Sequence, residues 1–203
     1  MTQNRFYSTV YIIGTGVAIA MVMVLAIVFH VRTANIAPEI HRDRMLLVPR
    51  AAAIKKDEQG MMNSNLTRKT VKECFYTLQT PELVAVGTNP DNLNYLIGDI
   101  YTKLPGGADQ FKTMVMSTDA NFWKMFQFSF IHGNGYLQAD FESGIRKVVL
   151  SETMARKIFG KTDVINQSVM VNEIEYNISG VVKDVSSVMS LVYADIWVPY
   201  TTL

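Results

Sequence analysis

From Val10 to Phe29 the chain reads VYIIGTGVAIAMVMVLAIVF, twenty residues without a charge. At about 1.5 Å of rise per residue, a helix of that length spans roughly 30 Å, the hydrocarbon thickness of a bilayer. The pattern predicts a membrane helix over residues 10–31. A cleaved secretory leader is the competing reading, but its apolar core runs to about 7–15 residues and ends in a small-x-small site. Here the apolar run is longer, and His30 and Arg32 follow it directly. Gly14, Gly16, Ala18 and Ala20 place small residues on the first half of the helix. They suit packing against another membrane helix and equally suit the ordinary tolerance of glycine in such helices.

Beyond residue 30 the pattern changes to short alternations and breaks. Pro38 is expected to end or kink any outward continuation of the helix. Met45 to Ile54 reads as a first strand, with Pro49 at an edge or bulge, and Lys55 to Asn65 as a polar loop. Leu66 to Leu78 reads as a helix, because Val71, Cys74, Phe75 and Leu78 share one face. Leu83 to Val86, Asn94 to Tyr101 and Phe111 to Ser117 read as strands, with TNPDN as a turn and PGGAD as a loop. Thr118 and Asp119 are placed to cap a helix over 120–126 that presents Phe122, Trp123 and Phe126. Phe128 and Phe130 continue as a strand, stopped at HGNG, where His132 is expected to be an exposed turn residue.

Val148 to Leu150 forms a buried strand that leads into SETMARKIFG. Ser151 is an N-cap, Glu152 suits the positive end of the helix dipole, and Gly160 suits the left-handed position that closes a helix. Met154, Ala155, Ile158 and Phe159 share its apolar face. Strands over 168–171 and 175–185 flank a turn at Asn172-Glu173, and Tyr193 to Tyr200 closes the pattern. This order lacks the regular alternation of a doubly wound sheet. It predicts an α+β body, with room for two lobes, in which Phe122, Trp123, Phe126 and Phe159 are core.

Charge adds one exclusion and one conflict. Nineteen basic residues face 18 acidic ones, so there is no basic excess to bind nucleic acid. Arg5 alone precedes the apolar run, whereas Arg32, Arg42, Arg44 and Arg50 follow it. The positive-inside rule applied to these residues alone would put the body in the cytoplasm. The single cysteine, Cys74, excludes an internal disulfide and is expected to be a small buried group.

The chemistry is sparse. His30, His41 and His132 lack metal-ligand spacing. The chain has neither a phosphate-binding Gly-Lys loop nor a nucleophile elbow. Asp140 and Glu142 are two apart and make a poor acid–base pair. The twelve methionines are scattered, as core packing requires. No catalytic, cofactor-binding or metal-ligating residue is predicted, no cofactor is expected, and the chain is not expected to be an enzyme.

Two segments carry a family resemblance. STDANFWKMFQFSFIHGNG contains Asp119, Phe122, Trp123, Phe126 and Gly133 in the pattern D-x-x-F-F/W-x-x-F…G. VVLSETMARKIFGKTDVINQSVMVNEIEYNISGVVKDV contains Val149, Leu150, Ser151, Glu152, Ala155, Phe159, Gly160, Asp163, Val181 and Asp184 in a second family pattern. With the N-terminal membrane helix, the chain resembles the MacB/FtsX-type ABC transporter permeases and their MacB-like periplasmic core domain, in a style similar to Bacteroidetes-type bacteria. Asn166 stands where the family usually has glycine. Such permeases continue into further membrane helices, so the resemblance implies that the chain is a fragment lacking them.

It also implies a cytoplasmic segment 1–9, a membrane helix 10–31 and a periplasmic core domain 32–203 in the bacterial inner membrane. The implied partners are a cytoplasmic ABC-type ATPase, a second permease copy, the lipid bilayer and an outer-membrane or periplasmic protein. The implied function is coupling of ATP hydrolysis to periplasmic movement, in export or mechanotransmission. Two alternatives remain open at this point: a sensor permease that detects a peptide antibiotic for a two-component system, and a regulator of a cell-wall hydrolase.

Overall fold

The computed structural model describes residues 5–54, 61–64 and 66–202. It begins with α1 (Arg5–Thr33), a helix whose residues from Phe6 to Ile27 are all exposed. The stretch Phe6–Thr33 is long and apolar enough to cross a membrane. A short 3-10 turn (Arg42–Arg44) follows, then a separate hairpin of β1 (Ala51–Ile54) and β2 (Met61–Ser64). Residues 45–50 therefore carry no strand. The expected loop at 55–65 contains β2, and its remaining residues lie outside those described. A short helical run comes next, α2 (Arg68–Thr70) continuing as a π-helical turn (Val71–Phe75). Only Val71 of the expected apolar face is buried. Leu78 is exposed, as is Cys74, contrary to the reading of the thiol as a core group.

The body proper is built from α3 (Pro90–Ile97), β3 (Tyr101–Lys103), β4 (Phe111–Lys112), β5 (Val115–Thr118), α4 (Phe122–Met125), β6 (Phe130–Gly133), α5 (Gln138–Glu142), β7 (Lys147–Ser151), α6 (Glu152–Phe159), β8 (Ser168–Val171), β9 (Ile174–Val182) and β10 (Ile196–Pro199). The strands form one mixed sheet in the order β4-β3-β8-β9-β7-β10-β5, with β6 pairing β9 beyond the end of β8. The α+β expectation holds, but two elements differ in kind. Residues 94–97, expected to be strand, belong to α3: the Asn89 side chain accepts from the Asp91 N–H at 2.8 Å, and Pro90 begins the helix. A proline at that position loses no hydrogen bond, since the first N–H groups of a helix are unpaired anyway. Leu83 to Val86 runs beside β5 without becoming a strand; a single bridge joins Gly87 to Thr118.

The two central strands explain why alternation was hard to read. In β7, Val148 and Leu150 enter one core while Val149 enters the other; in β10, Ile196 and Val198 part from Trp197 in the same way. Neighbouring side chains on a strand point to opposite faces. Both faces here are covered, so the sequence is apolar throughout. The first face is covered by α6 through Met154, Ala155 and Ile158. That helix is held locally as expected. The Ser151 Oγ accepts from the Met154 N–H at 3.2 Å, Glu152 pairs with Arg156, and Gly160 takes φ +72°. Phe159 is only partly buried, packed against the rim of this core. Asn172 and Glu173, with φ of 48° and 66°, turn β8 into β9, and Asn166 takes φ 62°. Asparagine tolerates this left-handed region far better than most side chains do, so the family glycine is not needed there.

Candidate functional site

The second face of the sheet carries an aromatic core, and the exit of α1 is seated on it. Phe122, Phe126, Tyr136, Trp197 and the partly buried Trp123 and Phe128 form its centre. The Trp123 ring lies 5.5 Å from Phe122, 5.2 Å from Phe128, 5.5 Å from Tyr136 and 6.1 Å from Trp197. These are tilted and edge-on contacts, the arrangements that aromatic quadrupoles favour. Val31, in the last turn of α1, packs on this cluster together with Met45. The seat thus lies at the very end of a helix that is exposed from Phe6 to Ile27.

Between Val31 and Met45 the chain folds back on itself. Ile36 bridges Glu39, and the Gln127 N–H donates to the Pro38 carbonyl at 2.9 Å, tying the loop to the end of α4. Asn35 and Asp43 exchange two hydrogen bonds, of 2.8 and 3.2 Å. Glu39 is fully buried and ion-paired with Arg42, whose Nη1 also reaches the Val31 carbonyl at 3.5 Å. Burial raises the Glu39 pKa, and Arg42 only partly offsets this. A buried charge held by one partner is costly to separate, so the pair fastens the loop against the helix exit.

Asp119 braces the aromatic core through the start of α4. Its Oδ1 accepts from the Phe122 N–H at 2.9 Å and closes the turn that leads into α4, whose N-cap is Asn121; its Oδ2 accepts from the Tyr76 hydroxyl at 2.7 Å. The second contact joins the Val71–Phe75 turn to the body, and Arg68 lies over the Tyr200 ring at 5.3 Å. Thr118 and Tyr136 share a buried hydroxyl–hydroxyl hydrogen bond next to it.

The family motif residues thus divide into two groups. Asp119, Phe122, Trp123 and Phe126 build the seat of α1. Ser151, Glu152 and Gly160 frame α6, where Asp184 accepts from the Thr153 N–H at 2.9 Å and from its hydroxyl at 2.6 Å. Gly133 lies in β6, and so does His132, which is half-buried with Nε2 3.4 Å from the Thr162 hydroxyl rather than in an exposed turn. Gly135 has a steric reason to be glycine, since an added Cβ would sit 2.4 Å from Cγ of Trp123. Gly135→Ala is therefore expected to lower stability by about 1–3 kcal/mol through overpacking, read as a reduced urea midpoint at unchanged slope.

The sequence reading took Pro38 only as a helix stop and Arg42 only as a positive charge, and it missed Glu39, Tyr76 and Tyr136. Tyr76 meets a partner 43 residues away, and no local spacing announces that. Glu39 and Arg42 are a commonplace i, i+3 pair until burial sets them apart. Among the described residues, no group of three His, Cys, Asp or Glu side chains is placed to hold a metal. A shallow polar cleft of about 280 Å³ lies between Thr153, Asp184, Tyr193 and Asp195. Asp184 is committed to Thr153, and Asp195 accepts from the Met114 N–H at 2.8 Å.

No curated protein matches the chain. Among solved structures, the periplasmic region of MacB from Actinobacillus actinomycetemcomitans aligns at 17% identity over 63% of this chain and 52% of its own, with a TM-score of 0.47. The extracellular domain of the noncanonic ABC-type transporter YknZ from Gram-positive bacteria aligns at 19% identity over 57% and 62%, with a TM-score of 0.41. A domain of a protein described as a permease from Porphyromonas gingivalis aligns at 20% identity over 66% and 56%, with a TM-score of 0.44. The chain spans a little over half the length of these structures. The family model for the MacB-like periplasmic core domain matches residues 8–203, nearly the whole length. The chain therefore belongs to the MacB-like periplasmic core domain family, the folded extracytoplasmic part of MacB-type ABC transporter permeases.

Proposed function

We propose that this chain is the first membrane helix and periplasmic body of a permease subunit that converts ATP hydrolysis by a cytoplasmic partner into movement outside the membrane. Residues 1–9 lie in the cytoplasm, α1 crosses the inner membrane, and the body from residue 32 onward is periplasmic. The observation that carries this reading is the seating of α1. A helix exposed along most of its length ends on an aromatic core through Val31, Pro38 and the buried Glu39–Arg42 pair. A shift or tilt of the helix would therefore be passed to the sheet as a rigid displacement, because close-packed cores do not deform gradually. The body needs stiffness for this role and no reactive group, so the subunit is not itself an enzyme. A second copy completes the permease, and the cargo is set by surfaces formed with other partners.

Cys74 supplies the test, being the one cysteine of the chain and exposed on the body. In intact spheroplasts, a membrane-impermeant maleimide should label it. Labelling only after lysis would place the body inside and end this reading. Nitroxide at Cys74, measured between the two copies of a permease dimer assembled with its ATPase, should change its separation when ATP is added. Three glycines inserted after Thr33 should abolish that change while ATP turnover continues. An unaltered response in the insertion variant would refute transmission through the joint.

A further inference from the structure

Directly after the joint the chain exposes Leu46, Leu47 and Val48, at 90%, 60% and 38% accessibility. They form a run of three large aliphatic side chains outside any helix or strand. Their height along α1 follows from contacts already described. Val31 lies two residues beyond the end of the charge-free run, about 3 Å of helical rise. Arg42 reaches its carbonyl, and Met45 packs on the same aromatic cluster as Val31. Residues 42–45 therefore sit where α1 would leave the hydrocarbon, and the aliphatic run begins at the next residue.

The surrounding charge is of the matching kind. Between residues 30 and 50 the chain has Arg32, Arg42, Arg44 and Arg50 against Glu39 and Asp43. Arg42 is occupied by Glu39, and Arg44 lies 3.0 Å from Glu82, while Arg32, at the end of α1, and Arg50, just after the run, are exposed. Aliphatic side chains flanked by arginines are the composition that settles at the headgroup–acyl boundary of anionic membranes. A protein partner fits less well. Three side chains fall far short of the roughly 1,200 Å² that a stable protein–protein contact buries.

We propose that Leu46–Val48 is a second, shallow membrane attachment, inserted into the phospholipid surface from which α1 emerges. This rests on the reading that α1 crosses the bilayer. It gives the body two attachment points a short distance apart, so a tilt of α1 becomes a rocking of the sheet against the membrane rather than free rotation about one helix. It also accounts for Arg32 and Arg50 on the side that the positive-inside rule disfavours: they are partners for lipid phosphates.

The test uses the whole chain in phosphatidylethanolamine–phosphatidylglycerol nanodiscs, with Cys74→Ser and one nitroxide at a time at L47C, Y95C or V17C. Tyr95 is 90% exposed on α3 and serves as the aqueous reference, and Val17 lies in mid-helix. The ratio of oxygen to nickel-chelate accessibility should be highest at V17C, lowest at Y95C, and at L47C several-fold above Y95C. A value at L47C equal to that at Y95C overturns the attachment while leaving the membrane helix standing. Spin–spin broadening at L47C overturns it too, since the run would then meet a second copy. An aqueous value at V17C removes the membrane crossing and the attachment with it.

Discussion

Trp197→Ala is expected to lower the unfolding free energy by about 3–5 kcal/mol, the cost typical of deleting a fully buried aromatic side chain. Trp197 is 0% exposed and lies on β10 between β7 and β5. Its ring meets Phe128 at 5.3 Å and Trp123 at 6.1 Å. Removing it would leave a void in the aromatic core on which Val31 packs, so the loss should be felt at the joint as well as in the sheet. Trp197→Phe separates volume from polarity. The buried Nε1 of Trp197 has no hydrogen-bond partner, and phenylalanine removes that unpaired donor along with only part of the ring. Its cost should be less than half that of alanine. Urea unfolding of both variants, followed by far-ultraviolet circular dichroism, decides the point. Equal losses would mean that the indole nitrogen, not the packed area, matters at this position.

Asp119→Ala should cost about 3 kcal/mol, because it leaves the Phe122 N–H and the Tyr76 hydroxyl without their charged acceptor. The more informative variant is Asp119→Asn. The amide keeps the size; its oxygen can serve Phe122, and its nitrogen can donate to the Tyr76 oxygen. What it removes is titration. Burial raises the Asp119 carboxyl above its ordinary 3.8, outweighing the hydrogen bonds that Tyr76 and the nearby backbone donate to it. The folded protein then holds the proton more tightly than the unfolded chain does. The contribution of this group is greatest below its unfolded value and declines as pH rises through the folded one.

Asp140 works in the opposite sense. Lys147 lowers its pKa, so its contribution is present above the unfolded value and is lost as pH falls through the folded one. Total stability therefore mixes the two slopes, and the difference between wild type and D119N isolates the buried carboxyl. That difference should shrink as pH rises from about 3 to 7. Parallel stability curves for the two proteins would refute the raised pKa of Asp119.

The features that were legible in the amino-acid order are those whose cause lies within a few residues. The existence of α1 follows from a charge-free run, although the helix extends past both of its ends, from Arg5 to Thr33. The start and end of α6 follow from Ser151, Glu152 and Gly160, which answer the unpaired N–H and C=O groups of a helix. The β8–β9 turn follows from Asn172, and Asp119 announces the turn into α4, although the helix itself starts later, from Asn121. The reading failed where local preference was ambiguous or was overruled at a distance. TNPDN suits a turn and a helix start alike, and it became the start of α3. Met45 to Ile54 has strand-like composition, yet only its last four residues found a partner, in β2. Cys74 and Leu78 keep helical spacing on a segment that docks through Val71 and Tyr76, and so they stay exposed.

Local order thus dictates where helices begin, where chains turn and which segment is long enough for a membrane, because those choices are settled between near neighbours on the chain. The division of β7 and β10 between two cores, the burial of Glu39 with Arg42, the Tyr76–Asp119 clasp and the seating of Val31 on the aromatic core were settled by the assembled sheet. Each depends on groups brought together from distant positions and on the removal of water around them. Spacing along the chain carries neither kind of information.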